Sequence, residues 1–161
     1  MNRRTVSVFA LFAAFISSVA MPVLAAETME MKSLYERLGG EPAVTAVVDE
    51  FVARAASNPA VNFTRKGTSR EWQATPENVA KLKKHLVQFV CSVAGGPQTY
   101  EGRDMKTVHE GMQITNAQFD AIAGDLQGAL AKFNVPQKEQ DELLGAVGTL
   151  RGQIVEEAPA Y

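Results

Sequence analysis

Two histidines, His85 and His109, are the only imidazoles in the 161-residue chain, and Cys91 is its only thiol. Neutral imidazole ligates iron, zinc or copper. His85 stands three residues after Leu82, one before Leu86 and four before Phe89. Positions three and four apart share a helix face, so His85 borders an apolar stripe. His109 follows Met105 and Val108 and precedes Met112, a second apolar setting. Each alone reads as a half-buried histidine bonded to a backbone carbonyl. Together, beside apolar stripes on separate helices, they point to one ligand shared between them.

The elements that must position these two side chains read as helices. Ser33-Leu34-Tyr35-Glu36 has the Ser-x-x-Glu form of a helix start, and Gly39-Gly40 ends that short helix. A second helix begins around Pro42, carries Val44, Val47, Val48, Phe51 and Val52 on one side, and ends near Asn58-Pro59. Residues 60–74 are polar and irregular, with Phe63 and Trp72 as apolar exceptions, and read as a surface connector. Trp72 either covers the edge of a ligand slot or anchors the connector. Thr75-Pro76 opens a third helix whose Val79, Leu82, Leu86, Phe89 and Val93 recur at helical spacing until Gly95-Gly96. A short piece follows from Asp104 to Glu110. Thr115-Asn116-Ala117-Gln118 caps another helix, and a last one is expected from Pro136 through Ile154. No useful stretch alternates with period two, so the fold class is all-α.

Composition narrows the chemistry. With 46% hydrophobic residues the chain can bury a sizeable core as one domain. A formal charge of −2 argues against nucleic acid as a partner. Arg3-Arg4, an uncharged stretch from Val6 to Ala26, and small residues after Pro22 have the form of a secretory signal peptide. Residues 1–26 are therefore expected to be removed, leaving 27–161 as one domain in the periplasm or outside the cell, with no stable membrane insertion. A single cysteine excludes an internal disulfide and a Cys-x-x-Cys-His haem attachment. Two histidines also make a poor zinc site, which takes four protein ligands or three and a water. Haem iron needs fewer, because the porphyrin supplies four nitrogens and the protein one or two axial ligands and a flat apolar slot. Val52, Leu82, Leu86, Phe89 and Met112 are the residues expected to line that slot. Met105 joins Met112 as packing rather than as an axial ligand, and Cys91 reads as a core residue.

These motifs resemble the truncated haemoglobins, and within them group I of the cyanobacterial type. Ser33 to Gly40 is similar to the family's opening segment with its diglycine. Ala94-Gly95-Gly96-Pro97, Tyr100 and Gly102-Arg103-Asp104-Met105 are similar to its second diglycine region and the approach to the proximal helix. Val108-His109, Gly111 and Ile114-Thr115 resemble the proximal histidine and the start of the next helix, and Val135-Pro136 the start of the last. The resemblance covers residues 33–156. It implies a truncated globin fold, a two-over-two helical sandwich around one haem b, with His109 as the proximal iron ligand and Phe63 packed on the haem.

Three departures accompany it. The segment between Phe63 and the third helix is longer than is usual in the family. Val52 stands where many members carry a distal tyrosine, and Leu86 where glutamine is frequent, so two donors to bound dioxygen are replaced by aliphatic side chains. His85 falls where cyanobacterial members carry a histidine that binds the iron. The resemblance thus implies a six-coordinate resting state between His109 and His85, the alternative being that His85 bonds a haem propionate. Lys84 and Arg103 are the other candidates for propionates.

The expected function is that of a monomeric haem protein binding O₂, NO or CO, with an unidentified electron donor. Oxygen binding and transport are the expected role, with redox, nitric-oxide-detoxifying or peroxidase-like chemistry favoured over long-lived oxygen storage. Two other readings stand beside it: a haem-free globin-like binding or sensory module, and a periplasmic haem carrier.

Overall fold

In the computed structural model, which describes residues 32–156, the Ser33 hydroxyl accepts the Glu36 N–H while the Glu36 carboxylate accepts the Ser33 N–H. This reciprocal cap starts a single turn, α1 (Leu34–Arg37). Gly39 and Gly40 both take left-handed backbone, at φ 96° and 74°, and turn the chain directly into α2 (Gly40–Ser57). Thr75 caps α3 (Pro76–Val93), with Pro76 at the position where a missing N–H costs nothing.

The end of α3 explains the second diglycine. Gly95, left-handed at φ 81°, donates to Ser92 O, and Gly96 donates to Cys91 O at 2.8 Å. These are the two crossing bonds that satisfy the last carbonyls of a helix. Gly96 is needed for a second reason: a Cβ there would lie 2.6 Å from Tyr35 Cδ2 and 2.9 Å from the Cys91 carbonyl oxygen. Tyr35 itself donates its backbone N–H to Ala94 O. The two diglycines, far apart in sequence, thus converge on one tyrosine.

Asp104 caps α4 (Met105–His109), five residues ending in His109. Thr115 and Gln118 form the expected reciprocal cap of α5 (Asn116–Lys132), and Pro136 precedes α6 (Gln137–Gly148). The single last helix expected through Ile154 is corrected here. It breaks after Gly148, and α7 (Arg151–Ile154) resumes as one turn. Gly148 and Thr149 are weak helix formers. The Thr149 hydroxyl bonds back to Ala146 O, and the Leu150 N–H drops to Val147 O instead of continuing the four-residue ladder.

Among the described residues there is no strand. Helix α2 packs on α3 and on α5, α5 on α6, and α4 on α7. Val44, Val47, Val48 and Val52 of α2 meet Val90 and Cys91 of α3, Leu126, Ala129 and Leu130 of α5, and Leu143 of α6 in one core. Cys91 is fully buried there, and burial pushes its thiol pKa up, which keeps it an inert packing group. The signal-peptide reading of residues 1–26 lies outside the described residues.

Candidate functional site

Between these helices lies a cavity of about 930 Å³. That is within the range of roughly 300–1,000 Å³ typical of sites that enclose a cofactor. Aliphatic and aromatic side chains supply most of its wall: Val52 from α2, Phe63 from the connector, Leu82, Leu86 and Phe89 from α3, Met105 from α4, Met112 beyond it, and Ile122 and Leu126 from α5. His85 and His109 line the same cavity. All nine residues singled out from sequence are therefore gathered around a single space.

His109 is held in one tautomer. As the last residue of α4 it aims Nδ1 at the Met105 carbonyl oxygen, one turn back, at 2.8 Å. A carbonyl only accepts, so Nδ1 carries the proton and Nε2 is left with its lone pair. Burial lowers the pKa of the imidazole, and the positive charge of Arg65 lowers it further, against the opposing pull of Met105 O and Glu156. Neutral imidazole with a fixed tautomer is the form a metal takes.

The backbone that carries His109 is held from two sides. Arg70 of the connector donates Nε to Glu110 O at 2.8 Å and a terminal nitrogen to Thr107 O at 3.4 Å, capping the C-terminal carbonyls of α4 with a cation. From the opposite end of the chain, the Glu156 carboxylate accepts the N–H groups of Gly111 at 2.6 Å and Gln113 at 2.5 Å, while its own N–H donates to Ile114 O.

His85 is half-buried, with its ring edge-on to Tyr100 at 6.3 Å between centroids, and Tyr100 in turn stands edge-on to Phe89 at 5.5 Å. Neither His85 nitrogen has a hydrogen-bond partner among the described residues, whereas the Tyr100 hydroxyl donates to Arg103 O. Asn78, Lys81 and His85 form one polar face of α3 on the cavity, joined by Arg103. Lys84 instead sits in a separate surface depression, 3.5 Å from Glu101.

The connector that reads as a surface loop is the cavity's side wall. Trp72 both lines it and anchors it, donating its indole N–H to Phe63 O at 2.9 Å and meeting the Phe63 ring edge-on at 5.3 Å. Arg65, unnoticed in the sequence, is only 6% exposed and lines the cavity. It occupies left-handed backbone at φ 53°, a conformation costing a non-glycine residue on the order of 1 kcal/mol. Only its positive charge in a run of polar residues marks it in the sequence, and that does not separate it from Lys66 or Arg70.

An apolar slot, a desolvated imidazole lining it with one ring nitrogen left unbonded, and cations around it suit a flat apolar macrocycle bearing a metal and carboxylates. Fold and site together define a globin of the two-over-two helical class that holds haem b. The chain belongs to the bacterial-like globin family, whose profile matches residues 33–156. It is 35% identical over 125 residues to the group 1 truncated hemoglobin GlbN of Mycolicibacterium paratuberculosis, covering 78% of this chain and 85% of that one. It is 34% identical to the GlbN of a Nostoc species, covering 78% and 98% of the two. Among solved structures it is similar to the Fe(III) truncated hemoglobin of Tetrahymena pyriformis, with a TM-score of 0.67, 27% identity and coverage of 78% and 100%. The 2/2 hemoglobin of a Synechococcus species, in the cyanomet state with covalently attached heme, is similar at a TM-score of 0.65, with 32% identity and the same coverage.

Proposed function

We propose that His109 ligates the haem iron through Nε2, and that His85 occupies the opposite axial position at rest and leaves it to admit O₂, NO or CO. The observation that carries this reading is the 2.8 Å bond between His109 Nδ1 and Met105 O, which fixes the tautomer and leaves the lone pair on Nε2 of a residue that lines the cavity. Haem, held by these residues, would supply an iron that binds diatomic gases.

The chain's own residues do the rest. Met105 O holds the His109 proton on Nδ1, and Arg70 and Glu156 hold the backbone on either side of it. Val52, Leu82 and Leu86 bring no donor to the cavity, and of the polar residues that α3 places on it, Asn78, Lys81 and His85, only His85 carries an imidazole able to ligate iron or to act on a bound gas. With no protein hydrogen bond among the described residues holding it, His85 gives up none to reach the metal. Gas binding is then gated by His85 dissociation. This favours redox turnover, such as nitric-oxide or peroxide removal with an external electron donor, over long-lived oxygen storage. The charged start, apolar run and small-residue end of 1–26 support export, so this chemistry takes place in the periplasm or outside the cell, by a monomer.

Two substitutions test the axial assignments. His109→Ala abolishes normal haem retention, whereas His85→Ala keeps haem and speeds carbon-monoxide binding by removing the gate. Unchanged carbon-monoxide kinetics in His85→Ala overturns the gate.

A further inference from the structure

Arg65 is a buried cation that no carboxylate among the described residues answers. Its Nε donates to Asn62 O at 2.7 Å, one terminal nitrogen to Gln118 Oε1 at 3.1 Å and the other to Val61 O. All three acceptors are neutral. A buried charge is costly unless an opposite charge meets it, and proteins seldom keep one without a use. A guanidinium has five N–H groups, so one on each terminal nitrogen is uncommitted, the number a carboxylate takes in a two-bond fork.

The other cations on the cavity wall are differently employed. Arg70 is spent on the carbonyls of α4, and Lys81 and Arg103 are exposed, where a pairing with an anion gains little. Arg65 alone is desolvated, its backbone set by a left-handed turn and its guanidinium held in place on the cavity wall by three bonds.

We propose that Arg65 is a carboxylate-binding residue of the haem slot, its guanidinium taking one propionate of the cofactor. This rests on the reading that the cavity holds haem. It gives the extended connector a role: the segment that begins at Arg65 and closes with Trp72 buries one acidic corner of the macrocycle.

The test uses the full protein loaded with haem or with haem dimethyl ester, which lacks the charged carboxylates, and follows transfer to an excess apo-globin acceptor. Arg65→Gln is expected to speed loss of native haem about ten- to a hundredfold, the range of a charge-assisted hydrogen bond in a desolvated site. Esterification is expected to speed loss from the wild type by a much larger factor than from Arg65→Gln, because two perturbations of one contact are not additive. Arg65→Lys, which keeps the charge without the fork, falls between them, and it carries the comparison should Arg65→Gln fail to fold. An ester effect of equal size in wild type and variant overturns the proposal. So does an equal ester effect joined to a loss of azide affinity in the ferric variant, which would make Arg65 a site for small anions. A wild type that takes up no haem at all, with no Soret band, refutes the proposed function instead.

Discussion

Truncating Glu156 to alanine tests how far the C-terminal tail governs the proximal site. Its carboxylate holds two backbone N–H groups, of Gly111 at 2.6 Å and Gln113 at 2.5 Å, in the reversal that follows His109. Both lie in a turn with left-handed residues at Gly111 and Gln113, where no helix ladder replaces the lost acceptor. A hydrogen bond to an ion is worth about 1.5–3 kcal/mol when desolvated. One of these is half-buried and the other exposed, so about 1 kcal/mol each is the appropriate figure after screening. Glu156→Ala therefore lowers unfolding free energy by about 2 kcal/mol, a fall in Tm of roughly 6–10 °C for a domain of this size. Because His109 and Met112 flank the same turn, linked by a 3.0 Å backbone bond, haem transfer to an acceptor quickens as well. Glu156→Gln keeps one acceptor oxygen and recovers about half the loss. Urea unfolding and haem transfer, measured side by side, decide it. A Glu156→Ala protein within about 0.5 kcal/mol of wild type, with unchanged haem transfer, refutes the clamp.

Leu86→Gln gives the distal wall a donor it lacks, and the dioxygen off-rate, by laser photolysis or mixing, falls about tenfold for a hydrogen bond worth about 1.4 kcal/mol. Gly96→Ala pushes a methyl into the Tyr35 ring and the Cys91 carbonyl and costs about 1–3 kcal/mol in urea unfolding, while haem uptake by the folded fraction persists. Acid weakens the fold through carboxylates held in their charged form, Glu139 and Glu50 among them. Arg37 holds the Glu139 pKa low, and Lys132, then Arg54, hold that of Glu50 low. Their contribution is complete above the ordinary glutamate value of about 4.3 and is lost as pH falls through the depressed ones. Urea midpoints of the haem-free protein therefore begin to fall below about pH 6.5, where the unfolded His109 takes a proton that burial denies it in the fold, and fall further below about pH 4.3 as these carboxylates are protonated; Arg37→Met reduces the second fall alone.

Much of this arrangement was legible in residue types. Ser33 and Thr115 announce their helices because each cap is a local exchange between residues three apart, visible in the sequence. Val52, Leu82, Leu86 and Phe89 are legible because apolar periodicity in α2 and α3 fixes which faces turn inward, and His85 interrupts it; Met105, His109 and Met112 are marked by the apolar surroundings of the second histidine, and Phe63 by the family resemblance. What escaped depends on contacts between distant residues. The break at Thr149-Leu150 follows from a hydroxyl competing with the helix ladder, and no periodic pattern registers that. The burial of Arg65 follows from the turn at 62–65 and from Gln118, 53 residues away. The roles of Arg70 and Glu156 are likewise bonds to backbone carbonyls and amides, which leave no mark on side-chain type.

The absorption spectrum of the ferric protein, titrated with haem at neutral pH, bears most directly on the central assignment. A Soret band saturating at one haem per chain, with the low-spin visible bands of two nitrogen ligands, is the expected result, turning high-spin in His85→Ala and largely lost in His109→Ala. A wild-type protein without a Soret band, or an unchanged spectrum in His109→Ala, contradicts the account.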